Sequence, residues 1–316
     1  MSSAATQATA PSARGAGLSV VIPAYNEEAS VRAVLDETQA MLNRLGVAHE
    51  IIVVDDCSRD QTGAIAESAG VTVLRNVENG GYGYSLMRGI RHAQFPAIAI
   101  VDADGSYPIN ALPQLFEEYR RGVAMIVGQR QGEHYARSVR IRFVRWLFKS
   151  LTEFIVGRAV PDVNSGMRIF ERDAVLPLLP YMSSGFSFTT SITLLFMMRA
   201  LPVSYVPVEY RKREGTSKVN YFRDALRALQ IIASVTVRLN PIKLFLMGAV
   251  LNLALLIPVV ILSWGATRLA LVVTLVVECS VLLVGLGLVV ESLVDKLQFS
   301  RVAPTERRDP DRGWKP

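Results

Sequence analysis

Ala97-Ile98-Ala99-Ile100-Val101-Asp102-Ala103-Asp104-Gly105 is an apolar run that closes on two carboxylates one residue apart and a glycine. An apolar segment of this length bounded by Asp and Gly reads as a buried strand running into a turn. Unpaired carboxylates at the end of a buried strand are costly or protonate, so a divalent cation is their natural partner. Hard oxygen ligands suit Mg2+ or Mn2+, and such an ion would neutralise a diphosphate leaving group. An isolated Asp-x-Asp is frequent by chance, and it gains weight here from its place in the chain.

Upstream, short apolar runs alternate with helical patterns, the signature of a doubly wound parallel sheet. The expected strands are Leu18 to Ile22, Glu50 to Asp55, Val71 to Arg75 and Ala97 to Asp102. The expected helices are Glu28 to Leu45, Gln61 to Ser68 and Ser85 to Ala93. In a Rossmann-like sheet of this kind ligands collect beyond the carboxyl ends of the strands. The residues there are polar each time: Pro23-Ala24-Tyr25-Asn26-Glu27 after the first strand, Asp55-Asp56-Cys57-Ser58-Arg59-Asp60 after the second, Asp102 to Gly105 after the fourth. Asn79-Gly80-Gly81-Tyr82-Gly83 forms a turn at a helix start between the third and fourth strands. Turn chemistry alone explains any one cluster. Their convergence on one edge of a sheet argues for a site.

These four motifs resemble the successive motifs of family 2 glycosyltransferases, over about Leu18 to Val237. Two later segments, Asn164-Ser165-Gly166-Met167-Arg168-Ile169-Phe170 and Arg211-Lys212-Arg213-Glu214-Gly215-Thr216-Ser217-Lys218, are similar to the branch that contains dolichyl-phosphate mannose synthases and bacterial polyprenyl-phosphate glycosyltransferases. The resemblance implies a Rossmann-like GT-A domain of α/β class. It also implies that Tyr25, Glu27, Asp55 and Asp56 contact base and ribose, with Pro23, Gly83, Asp102 and Ala103 completing the nucleotide-sugar site. Asp102, Asp104 and Ser106 would lie at the metal, and Arg130, Arg168, Arg213 and Lys218 would serve phosphate. Arg forks bind phosphate oxygens bidentately, which supports the last set independently. Departures stand at Cys57, where family members often have Gly, and near Tyr84 and Ser85, where they often have Ala.

The reaction implied is inverting transfer of a sugar from a nucleotide diphosphate to a polyprenyl phosphate such as undecaprenyl phosphate. A phosphate monoester with its second pKa near about 6 is mostly dianionic at neutral pH, so the acceptor needs no strong base. Asp162 is therefore read as a sugar-binding or positioning residue in the catalytic set with Asp104, Arg130 and Arg168. Orientation and charge neutralisation would carry the step.

The 316 residues suffice for one full domain and a smaller appendage. Half the residues are hydrophobic, and the mean hydropathy of +0.29 is high for a soluble enzyme. The excess collects in Pro241 to Trp264 and Leu269 to Val290, each long and apolar enough to cross a bilayer. The linker Gly265 to Arg268 fits a helical hairpin. Arg227, Arg238 and Lys243 before it and Lys296, Arg301, Arg307 and Arg308 after it place both ends on the cytoplasmic side of the inner (plasma) membrane. Residues 137–157 and 221–240 mix basic, aromatic and apolar side chains, as interfacial helices do and as solvated helices packed on the domain also do. The expected organisation is a disordered tail at 1–17, a catalytic domain at 18–220, a juxtamembrane helix at 221–240, two transmembrane helices within 241–293 and a cytoplasmic tail at 294–316.

A net charge of +6 raises the question of nucleic acid, but no zinc spacing, aromatic ribonucleoprotein motif or basic recognition helix accompanies it. Anionic lipid and phosphate explain the charge better. Two cysteines, Cys57 and Cys279, suggest neither a disulfide framework nor a metal cluster. Glu278 inside the second apolar stretch is expected either to pair within a homo-oligomer, with Asn252 as the candidate partner, or to mark a functional path. Three alternatives stand beside the main reading. One is a transferase for another lipid acceptor. Another is a processive polysaccharide synthase, against which Phe154 follows Thr152-Glu153 where a Thr-Glu-Asp motif needs Asp. The last is an inactive membrane scaffold, against which Asp102 and Asp104 are both present.

Overall fold

The computed structural model describes residues 17–131, 139–185, 187–211 and 229–237, with scattered helical positions between 271 and 293. Seven strands form one sheet in the order β3-β2-β1-β4-β6-β5-β7. β1 (Leu18–Ala24), β2 (His49–Asp55), β3 (Thr72–Arg75) and β4 (Ala97–Ile100) are parallel, as the sequence pattern predicts. The Leu18–Ala24 strand is buried along its whole length. Such a continuous run, without polar alternation, suits a strand covered on both faces.

α1 (Val31–Leu45) packs on the sheet through Val31, Val34, Leu35, Thr38 and Leu42, a helical stripe. It ends at Gly46, whose φ of 67° lies in the left-handed region that a helix C-terminus favours. α2 (Thr62–Ser68) follows β2 and α3 (Tyr82–His92) follows β3. α3 begins a turn earlier than the expected Ser85, so Tyr82 and Gly83 lie inside the helix rather than in a loop before it. Gly89 allows this helix to lie on the sheet: a Cβ there would collide with Val21.

The second half of the sheet departs from the all-parallel expectation. α4 (Leu112–Arg120) leads to β5 (Met125–Gln131), then come α5 (Val139–Val156) and β6 (Arg168–Glu171). β6 is antiparallel to both β4 and β5, with Ile100 opposite Arg168. The physical reason is the route of the chain. Asn164-Ser165-Gly166 arrives at the carboxyl edge next to Asp102, and a strand that starts at that edge must run back down the sheet. After α6 (Arg172–Val175) and α7 (Phe188–Met198), β7 (Val203–Glu209) pairs parallel to β5. The sheet is therefore mixed, and the residues at its carboxyl edge come from β1, β2, β4 and β5 on departure and from β6 on arrival.

The chain divides into two compact units, Met1–Ile232 and Ala233–Pro316. In the second, the described helical positions Leu271, Leu275, Leu282, Leu286 and Leu293 are all exposed, at spacings that put them on one helix face. Glu278 is exposed on that face as well. Among the described residues no helix is long and apolar enough to cross a membrane. The expected first span, half of the second, the tails and most of the juxtamembrane segment lie outside the described residues, as do Asn252, Arg213 and Lys218.

Candidate donor site at the carboxyl edge

The loops after β1 and β2 are stitched together. Asn26 N–H donates to Ser58 Oγ at 3.0 Å, Arg59 N–H to Asn26 Oδ1 at 2.8 Å, and Glu27 N–H to Thr62 Oγ1 at 2.8 Å. Two residues of these loops have left-handed backbone, Asn26 at φ 52° and Cys57 at φ 61°. Asn tolerates that region, whereas for Cys it is strained. A Gly at position 57 would carry no such strain. Tyr25 and Glu27 are half-buried at this edge, beside the buried Pro23.

Asp55 and Asp56 have different surroundings. Asp55 is buried at the end of β2 and accepts the Ser58 N–H at 3.0 Å. Asp56 accepts Asn76 Nδ2 at 2.6 Å and Gly80 N–H at 2.9 Å on one oxygen, and Gly81 N–H at 2.9 Å on the other. Its carboxylate shapes the Asn79-Gly80-Gly81 turn from within. Asn76 also donates to Ser85 Oγ and accepts from Arg88, closing a buried polar network that no sequence motif announced. Gly83 was expected at the nucleotide; in the structure it is buried against the 183–185 segment, where a Cβ would collide with Ser183 O.

The two carboxylates after β4 are held at the same edge. Asp104 is buried, and its Oδ1 accepts both Ser106 N–H at 3.0 Å and Ser106 Oγ–H at 2.6 Å. Ser106 thus reaches the expected metal position through Asp104. Ala103 is buried, and its carbonyl accepts the Ser30 hydroxyl at 2.8 Å. Asp102 is half-buried, and the Tyr82 hydroxyl donates to its Oδ1 at 2.8 Å. Burial, with the Asp102 charge and this bond adding to it, holds the Tyr82 hydroxyl well above the ordinary tyrosine range, so it stays a donor. Among the described residues no group of three or more His, Cys, Asp or Glu side chains could hold a metal by itself. A pair of hard carboxylates is nonetheless the donor set that Mg2+ or Mn2+ uses when substrate phosphates complete its shell, so the residues fit.

Beyond β5 lies a different arrangement. Arg130 grips Asp162 with two parallel bonds, Nε to Oδ2 at 2.8 Å and Nη2 to Oδ1 at 2.9 Å, and its own N–H adds a third at 3.2 Å. The Asp162 side chain is 3% exposed and that of Arg130 15%. Burial alone pushes the Asp162 carboxyl up, but the Arg130 hydrogen bonds and charge, with the Asn164 N–H, outweigh it and hold the group below the usual carboxylate range. The Arg130 guanidinium also lies 5.6 Å from the Tyr210 ring centre, and Tyr210 packs edge-on against Tyr107.

Arg168 was expected at a phosphate. The structure places it elsewhere: it is fully buried, with Nε and Nη2 on the Ser165 carbonyl and Nη1 on Thr189 O and Thr193 Oγ1. Its guanidinium fastens the start of β6 and the Ser165 turn to α7. The sequence pattern gave Arg168 a phosphate role, and nothing in its spacing disclosed a buried clamp.

The family model described as Glycosyl transferase family 2 matches residues 19–178, which contain this edge. The chain belongs to that family. It is 31% identical over 220 residues to the low-salt glycan biosynthesis hexosyltransferase Agl6 of Haloferax volcanii, covering 68% of this chain and 52% of that protein. The chain thus spans about half the length of this relative. A dolichyl-phosphate hexose transferase of the same organism is 28% identical, covering 65% of this chain and 87% of the relative. An undecaprenyl-phosphate 4-deoxy-4-formamido-L-arabinose transferase of Salmonella dublin is 27% identical, covering 74% and 72%. The crystal structure of glucosyl-3-phosphoglycerate synthase from Mycobacterium tuberculosis with Mn2+, UDP-glucose and phosphoglyceric acid shares the GT-A fold at a TM-score of 0.57 and 19% identity, covering 70% of this chain and 80% of that one.

Proposed function

We propose that this chain transfers a sugar, with inversion, from a nucleotide-diphosphate donor to a polyprenyl phosphate at the cytoplasmic face of the membrane. The observation that carries this reading is the Arg130–Asp162 pair. A carboxylate gripped by two guanidinium bonds, and held below its usual pKa, is a poor proton acceptor. An alcohol acceptor needs a base to take its proton, whereas a phosphate monoester with a second pKa near about 6 arrives already deprotonated. Names of relatives point the same way, since two of those quoted act on dolichyl or undecaprenyl phosphate.

The division of labour follows the sheet. Asp55, Tyr25 and Glu27 line the nucleotide end, and Asp56 holds the glycine turn against it. Asp102 and Asp104 would hold Mg2+ or Mn2+, which when bound would offset the charge of the leaving diphosphate. Asp162 and Arg130 order the acceptor side. Arg213 and Lys218, in the segment that follows Tyr210, are proposed to meet the acceptor phosphate. The two apolar stretches after Asn240 anchor the enzyme, and the exposed leucine face in the second unit is compatible with a lipid surroundings or an oligomer contact.

The test uses membranes containing the protein, undecaprenyl phosphate, Mg2+ or Mn2+, and labelled UDP- and GDP-sugars. Label should move into an organic-extractable product that mild acid releases. No transfer from any donor, or equal transfer by Asp104→Ala, sinks the proposal.

A further inference from the structure

Asp102 is the less buried of the two carboxylates after β4, and a half-exposed Asp side chain has several rotamers open to it. Two features of the structure restrict it. On one side the Tyr82 hydroxyl, at the first position of α3, donates to Oδ1 at 2.8 Å. On the other side stands Gly166, so close that a Cβ there would collide with Asp102 Oδ2.

Gly166 is itself fixed. Its N–H donates to the Tyr107 hydroxyl at 2.7 Å, and the neighbouring Ser165 hydroxyl donates to Gly128 O at 2.6 Å. Arg168 clamps the Ser165 carbonyl from below with Nε at 3.1 Å. The backbone beside Asp102 is therefore a rigid stop, and the Tyr82 hydroxyl is a directional contact that sets the carboxylate against it. Groups that hydrogen-bond a metal-binding carboxylate fix its orientation, and their loss costs about 10–100-fold in metal affinity.

We propose that Tyr82 is a positioning residue for Asp102: its hydroxyl, acting against the Gly166 stop, holds the carboxylate in the orientation that receives the divalent cation and the donor nucleotide. The inference rests on the donor-site reading of Asp102 and Asp104. It gives the Asn-Gly-Gly-Tyr-Gly motif a second task. The two glycine N–H groups bind Asp56, and the tyrosine that follows reaches across to the carboxylate of another strand.

Tyr82→Phe removes the hydroxyl and keeps the ring. Purified full-length wild type and variant are titrated with Mn2+ in the presence of UDP and, separately, GDP, with free Mn2+ read by electron paramagnetic resonance. The expected result is Mn2+ binding weakened about tenfold in the variant, with the melting temperature unchanged and donor KM raised more than kcat is lowered. Equal Mn2+ affinity in the two proteins overturns the role of Tyr82 and leaves the donor-site reading intact. Weaker binding that comes with an equally clear drop in melting temperature overturns it too, since the hydroxyl would then be structural. Wild type that binds no Mn2+ with either nucleotide overturns both readings.

Discussion

On the β3-β2-β1-β4 half of the edge, carboxylates are met by neutral donors: Asp56 by Asn76, Gly80 and Gly81, Asp104 by Ser106, Asp102 by Tyr82. On the β6-β5-β7 half, Asp162 is met by a guanidinium. Neutral hydrogen bonds of this kind orient a carboxylate and leave its charge in place, which fits the cation site proposed for the first half. A buried ion pair cancels its own charge and becomes part of the framework. On the proposed reading, one edge thus joins a half for binding an ion to a half that holds shape.

The sharpest way to break this comparison is to delete one carboxylate from each half. Asp104→Ala should lower kcat at least about 10²-fold, the scale of losing a major electrostatic contact to the leaving group, with little change in melting temperature. Asp162→Ala should act chiefly on stability. It strands the Arg130 guanidinium, and breaking a buried pair costs about 3–5 kcal/mol, read by chemical denaturation. If instead Asp104→Ala unfolds the protein and Asp162→Ala abolishes transfer in a stable one, the roles are reversed.

A pH series sharpens the same contrast. The folded Asp162 carboxyl lies below its unfolded value of about 3.9. The folded state therefore binds fewer protons than the unfolded chain around that pH. The pair's contribution is fully present above the unfolded value and is lost as pH falls through the folded one. Melting temperature should drop below about pH 4, and Asp162→Asn should flatten that drop. An identical acid profile in Asp162→Asn would mean that other groups carry the acid sensitivity.

The contrast between the halves was only partly legible in the sequence. Continuous apolar runs ending in Asp, Asn and Gly disclosed β1 to β4 and their shared edge, because burial on two faces leaves that signature. The direction of β6 was not legible. Arg168-Ile169-Phe170-Glu171 is four residues long, and its antiparallel course follows from where the Ser165 turn enters, a tertiary fact. The same holds for Arg168 and Asp56. A sequence shows a charge, and whether that charge faces a ligand or is consumed by carbonyls or glycine N–H groups depends on segments 20 or more residues away. Asn76 lay beside a recognised motif and Tyr82 within one, and both could have been found by asking what satisfies a buried Asp56 or a half-buried Asp102.

Cys57 gives the smallest and most local test. The Asp56 to Asp60 loop turns through a left-handed residue at φ 61°, and an L residue there is strained by about 1–2 kcal/mol where Gly is not. The Cys57 side chain is exposed, and its Sγ–H makes only a weak bond to Val77 O at 3.7 Å, so little offsets that strain. Gly is also freer in the unfolded chain, which takes back part of the gain. Cys57→Gly should therefore raise stability by up to about 1 kcal/mol in denaturant unfolding and leave donor KM unchanged. A loss of stability would show that the thiol contact outweighs the backbone strain. A changed KM would place position 57 among the groups that touch the nucleotide, extending the donor half by one side chain beyond Asp55 and Asp56.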